Sequence, residues 1–107
     1  KQLSIAKKEF IEIKDSKEKT LRHLIIRTKD IDFPIVLYRF SETEYSALLL
    51  KCSHQNSELN VNGDLLTCNA HGSEFDNKGE IVQGPADAPL TSYKTTNDLQ
   101  NIYIHLK

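Results

Sequence analysis

The sequence predicts an all-β fold. Apolar residues alternate with polar ones, and no window sustains helical spacing. β-Branched and aromatic residues gather in short runs, and Gly, Pro, Asn and Asp punctuate those runs at short intervals. At 107 residues the chain is expected to be one domain, spanning 1–107. A chain of this size buries somewhat over ~60% of its extended surface, enough for one modest core and no second.

The elements follow in order. Phe10, Ile11, Glu12 and Ile13 open with alternation, and 15–19 reads as a polar turn. Residues 21–28 read as a strand that Lys29 and Asp30 break. Residues 34–40 form a second strand, 41–44 a hairpin turn, and 45–51 the return strand, which runs into Cys52. Asn62, Gly63 and Asp64 make a tight turn, with Gly supplying the positive φ. Asp76 to Gly79 reads as a type I turn with a Gly bulge, joining 73–75 to 80–82. The last strand is 101–106, with Ile102, Ile104 and Leu106 on one face and Tyr103 and His105 on the other. Helix at 97–100 is at most one turn. The lysines at 1, 7 and 8 suggest a solvated terminus.

Net charge is −1 with 27% charged residues, which gives no electrostatic case for nucleic acid or an anionic membrane surface. The longest apolar run, Ala47 to Leu50, is far short of the ~20 residues that span a bilayer. Methionine is absent, so Lys1 is not expected to be the native start. A trimmed signal or anchor and a trimmed tag both account for that.

The chemistry concentrates in Cys52-Ser53-His54 and Cys68-Asn69-Ala70-His71, thirteen residues apart. Both cysteines and two of the four histidines are used here. Zinc fingers usually group Cys with Cys and His with His. Here each pair is mixed. A [2Fe–2S] cluster with two Cys on one iron and two His on the other needs each loop to give one ligand to each iron. A mononuclear zinc or iron site with the same ligands is the plainer alternative. One disulfide closing a loop of about 15 residues, worth ~3 kcal/mol, would leave the two histidines without a role.

Past the second pair come His71-Gly72-Ser73-Glu74-Phe75-Asp76, Gln83-Gly84-Pro85-Ala86 and Pro89-Leu90. With the ligand spacing, these resemble the Rieske family's second ligand loop, hairpin and proline loop across roughly 48–93. The resemblance implies small antiparallel sheets with two ligand loops at one tip, holding a [2Fe–2S] cluster used for one-electron transfer. By that resemblance Cys52 and Cys68 bind the inner iron, and His54 and His71 the outer, solvent-facing iron. Gly84 and Pro85 would belong to a lid over the cluster. Ser73 resembles a serine that donates to a bridging sulfide in high-potential members. Those members carry tyrosine where this chain has Phe75, and extra cysteines where it has Ser57 and Ala70. The ligand loops therefore cannot be joined by a disulfide, and the potential is expected to lie below the quinol-oxidising extreme.

Two ferric ions, two sulfides and two thiolates sum to zero charge with neutral imidazoles. That explains potentials of about −150 to +300 mV against about −400 mV for plant-type ferredoxins. Reduction raises the pKa of imidazoles bound to iron, so the potential should fall with rising pH in the alkaline range. The plainer roles are a loop serine for Ser73, a core aromatic for Phe75 and an ordinary turn for Gly84 and Pro85. His23 and His105 read as ordinary sheet histidines.

The leading expectation is a respiratory or membrane-associated electron carrier with a quinol or cytochrome system as partner. A soluble Rieske ferredoxin supplying an oxygenase is the first alternative, and a structural zinc module the second. The chain offers no substrate pocket of its own and no room for a separate domain with mononuclear iron. A bacterial-type protein, exported or anchored through a segment before Lys1, is favoured over a cytoplasmic one.

Overall fold

The computed structural model describes residues 1–106. Three antiparallel sheets account for nearly all of its regular structure. The largest has the strand order β1-β12-β11-β6-β5-β4, made from Gln2–Ala6, Asn101–His105, Ser92–Asn97, Tyr45–Leu49, Ile35–Arg39 and His23–Ile26. A four-stranded sheet runs β10-β9-β8-β7, from Ile81–Gln83, Glu74–Phe75, Leu65–Thr67 and Asn60–Asn62. A hairpin of β2 (Ile11–Lys14) and β3 (Lys17–Thr20) stands apart. Among the described residues the 3-10 turn at Lys7–Phe10 is the one helical element.

β5 organises the interior. Ile35, Val36, Leu37 and Tyr38 are all fully buried, as an uninterrupted apolar run in a central strand should be. Because successive side chains point to opposite faces, Ile35 and Leu37 pack with Phe10, Ala47, Ile102 and Ile104. Val36 and Tyr38 pack with Leu48, Leu50, Leu66 and Phe75. The expectation of one core is therefore corrected: a strand buried on both faces divides the apolar side chains into two groups.

Other expectations are also corrected. The lysine-rich start is not merely a solvated terminus, since β1 pairs with β12 from Gln2↔His105 to Ala6↔Asn101. Residues 15–19 are not all turn: Asp15 and Ser16 turn with φ of 52° and 62°, and Lys17 begins β3. Phe10 turns inward from the 3-10 turn, while Ile11 and Ile13 stay exposed. Residues 97–100, expected to hold at most one helical turn, hold none and bend between β11 and β12, where the Asp98 carboxylate accepts the N–H groups of Gln100 and Asn101. The strands expected over 21–28, 34–40, 45–51 and 101–106 appear with shorter bounds, as His23–Ile26, Ile35–Arg39, Tyr45–Leu49 and Asn101–His105, and the chain turns at 41–44 and 76–79.

Side-chain contacts tie the large sheet and its flanks to the four-stranded sheet and its loops. The Tyr38 hydroxyl donates to the Gly63 carbonyl at 2.6 Å. Arg22 pairs with Asp64 at 3.1 Å, and Arg27 with Glu58 at 2.9 Å.

Candidate metal centre

The first ligand loop leaves β6 and closes on itself. Lys51 bridges to Glu58, and the Leu59 N–H donates to the Leu50 carbonyl at 3.1 Å. Inside that neck the Cys52 N–H donates to the Ser57 carbonyl at 2.9 Å. The second loop joins β8 to β9. There the Cys68 N–H donates to the Ser73 carbonyl and the Gly72 N–H to the Cys68 carbonyl, both at 2.9 Å. Gly72 has φ +81°, a turn that a residue with a Cβ would resist.

Each loop hides its cysteine and shows its histidine. Cys52 and Cys68 are buried and free, which disposes of the disulfide reading. His54 and His71 are exposed. Their ring centroids lie 5.2 Å apart with planes at 82°. An imidazole bound at ~2.0–2.1 Å through nitrogen puts its centroid ~3.2 Å from the metal. Two such rings at a tetrahedral angle are separated by ~5.2 Å, a spacing that fits one shared metal atom and is also that of an edge-to-face ring pair. Among the described residues no three His, Cys, Asp or Glu side chains converge on a single ion. A thiol pair inside and an imidazole pair outside suit two metal atoms with two ligands each, and the donor set fits a [2Fe–2S] cluster of this type.

The surroundings tie both loops to a third segment, the one that follows β10. Ser73 is fully buried, and its Oγ accepts the Ala86 N–H at 3.0 Å. That leaves the hydroxyl proton without an acceptor among the described protein atoms. The Ser53 hydroxyl donates to the Ala88 carbonyl, and Gln83 Nε2 donates to the Gly72 carbonyl at 3.3 Å. Phe75 is fully buried, in the same apolar group as Cys52, Cys68 and Ala86. Gly84 and Pro85 are exposed at the start of the tying segment. The Ser53–Ala88 contact joins residues 35 apart, and no local pattern announces it.

His23 and His105 lie elsewhere. The His23 ring packs 5.8 Å from Tyr38, and His105 Nε2 hydrogen-bonds Thr96 Oγ1 at 2.7 Å. At the seam, the Asn77 side chain and the Arg22 guanidinium hold the Asp64 carboxyl below its usual range. Burial and the nearby Asp64 push Tyr38 up to about 12.

The family model of the Rieske [2Fe–2S] domain matches residues 9–94. The crystal structure of the plasma-membrane Rieske protein of the cyanobacterium Synechocystis is similar, with 25% identity and a TM-score of 0.66. The match covers 78% of this chain and 86% of that one. The ferredoxin of carbazole 1,9a-dioxygenase from Nocardioides aromaticivorans shares the fold at 18% identity and TM-score 0.58, over 80% of this chain and 86% of that one. Dicamba monooxygenase matches at 27% identity and TM-score 0.53, over 78% of this chain but 27% of its own length. A search of curated proteins returned no match. The mixed Cys–His loops, the three antiparallel sheets and a family match across most of the sequence agree: this chain belongs to the Rieske [2Fe–2S] family and carries a cluster with Cys and His ligands for electron transfer.

Proposed function

We propose that Cys52 and Cys68 hold the inner iron, that His54 and His71 hold the outer one, and that residues 1–107 act as one unit relaying single electrons between redox proteins. The observation that carries this reading is the sorting of the four side chains into a buried thiol pair in one apolar group and an exposed imidazole pair in mutual contact. The bound cluster supplies one-electron storage.

The chain's own residues supply the rest. Leu50, Leu66 and Phe75 pack around the two cysteines and keep water from the thiolates. The buried Ser73 hydroxyl has a proton to donate to a sulfide, since Ala86 occupies its oxygen as an acceptor. The segment opened by Gly84 and Pro85 is tied to both loops and takes the place of the missing loop-to-loop disulfide. His54 and His71 face solvent and give the electron its exit.

The likeness to the plasma-membrane Rieske protein supports a respiratory or membrane-associated carrier, exported or anchored, with a quinol or cytochrome system as partner. The lack of cysteine at positions 57 and 70 favours the second reading, a soluble ferredoxin with an oxygenase as partner. No helix of the described residues is long and apolar enough to cross a membrane.

Iron and acid-labile sulfide analysis of Cys52→Ala and Cys68→Ala tests the ligand assignment. Each variant is expected to lose both irons, and retention of two irons in either would refute the assignment. Potentiometry of the wild type separates the partner readings. A value well above about −150 mV, the lower end for such centres, favours the quinol- or cytochrome-linked role. A value at that lower end favours the ferredoxin.

A further inference from the structure

The chain holds seven asparagines, and one of them, Asn62, precedes glycine. Asparagine is a thermolabile side chain. It is lost when the backbone nitrogen of the next residue attacks its amide carbon, so the freedom of that nitrogen selects the site. The fold restrains most of the candidates. The N–H after Asn56 donates to the Gln55 carbonyl at 2.8 Å, and the one after Asn97 to the Asn101 carbonyl at 3.0 Å. The N–H after Asn77 donates to the Asp76 carboxylate at 2.9 Å. Asn60 and Asn101 open β7 and β12 and precede Val61 and Ile102, whose branched Cβ crowds the approach. Asn69 precedes Ala70, which still carries a methyl.

Asn62 is the exception. It closes β7 at the exposed turn into β8, ahead of Gly63 at φ +62°. The Gly63 N–H has no backbone acceptor among the described residues, and a Cβ at Gly63 would meet nothing within 4 Å. The Asn62 amide donates to Thr67 Oγ1 at 3.0 Å, an exposed bond that water readily replaces.

We propose that Asn62 is a self-modifying site of the folded protein. The Gly63 backbone nitrogen bonds to the Asn62 side-chain carbonyl carbon and gives up its proton. The bond from that carbon to the side-chain nitrogen breaks, and the nitrogen leaves with the proton as ammonia. Water then opens the cyclic imide at one carbonyl or the other, leaving aspartate or isoaspartate at 62. Nothing is oxidised or reduced. The turn that changes is the one at the seam between the sheets. Its Gly63 carbonyl accepts the Tyr38 hydroxyl at 2.6 Å, and its Asp64 carboxylate accepts Arg22 at 3.1 Å and Asn77 at 3.2 Å. Isoaspartate adds a methylene to the main chain directly before Gly63, and either product sets a new carboxylate two residues from Asp64. Thr67, which loses its amide donor, directly precedes Cys68.

Peptide mass analysis of the whole protein, kept warm in mildly alkaline buffer and digested at intervals, tests the site. Aspartate and isoaspartate are expected at 62 several-fold sooner than at 69 or at any other asparagine. Urea should speed the loss at 56, 77 and 97 several-fold by freeing their neighbours' N–H groups, and should change the loss at 62 least. Asn62→Gln should keep the incubated protein as a single species on anion exchange, where the wild type gains a more acidic one. The isoaspartate fraction should melt below the parent, with Asn62→Asp, which has the charge without the extra methylene, lying between them. Reaction at 62 only in urea, or no faster at 62 than at 69 in the folded protein, would overturn the proposal. An isoaspartate fraction that melts with the parent would overturn its consequence for the seam.

Discussion

Ser73 sits at 0% exposure with its oxygen engaged by the Ala86 N–H, and the proposed role of its proton is to donate to the cluster. Ser73→Ala should lower the reduction potential and cost about 1 kcal/mol through the orphaned Ala86 N–H. Phe75→Tyr should raise the potential by adding a donor where phenyl offers none. Spectroelectrochemistry reads both, and an unmoved potential in either would remove that side chain from the tuning. Tyr38 gives a different signal. Its folded pKa of about 12 exceeds the unfolded value of ~10, so its stabilising contribution is whole below pH 10 and drains away as pH rises through 12. Tyr38→Phe should lose about 1 kcal/mol at neutral pH with the Gly63 bond, and should soften the alkaline decline seen in denaturant titrations. At this scale the proposed ligands Cys52, His54, Cys68 and His71 stood out in the sequence by their local spacing. The Ser53–Ala88 and Arg22–Asp64 contacts were not, since each joins residues far apart in the chain.

Among the elements, the hairpin of β9 and β10 shows how a turn residue can serve packing. Gly79 has φ +84°, and a Cβ there would come within 2.9 Å of Leu48 Cδ2. Gly79→Ala should therefore destabilise by about 1–2 kcal/mol from the backbone alone, and by more once Leu48 must move. A thermal melt equal to wild type would show that the hairpin can shift at no cost. This turn was readable from Asp76-Asn77-Lys78-Gly79, as was β5 from its apolar run. β1, β3 and β11 were not. Lys17 to Thr20 is polar throughout and lies in a fully exposed hairpin, so no burial pattern marks it. β11 alternates Tyr93, Thr95 and Asn97 inward, a weak signal in a polar sequence. β1 is an edge strand held by one neighbour, and its lysine-rich surroundings mask its Leu3 and Ile5.

Across the whole molecule, β5 separates a scaffold from a cluster-holding half. Phe10 belongs to the scaffold group and Phe75 to the other. Phe10→Ala should cost about 3–5 kcal/mol in stability while leaving the potential of the folded protein unchanged. A shifted potential would show that the two groups are coupled through β5. This division does not follow from composition, because it depends on which strands lie side by side. The most direct test of the central claim is electron–nuclear double resonance on the reduced protein, together with its iron and sulfide content. Two irons, two sulfides, a low average g value and two nitrogen couplings that vanish one at a time in His54→Cys and His71→Cys are expected. A single metal ion per chain, or a reduced cluster with no nitrogen coupling, would contradict the account.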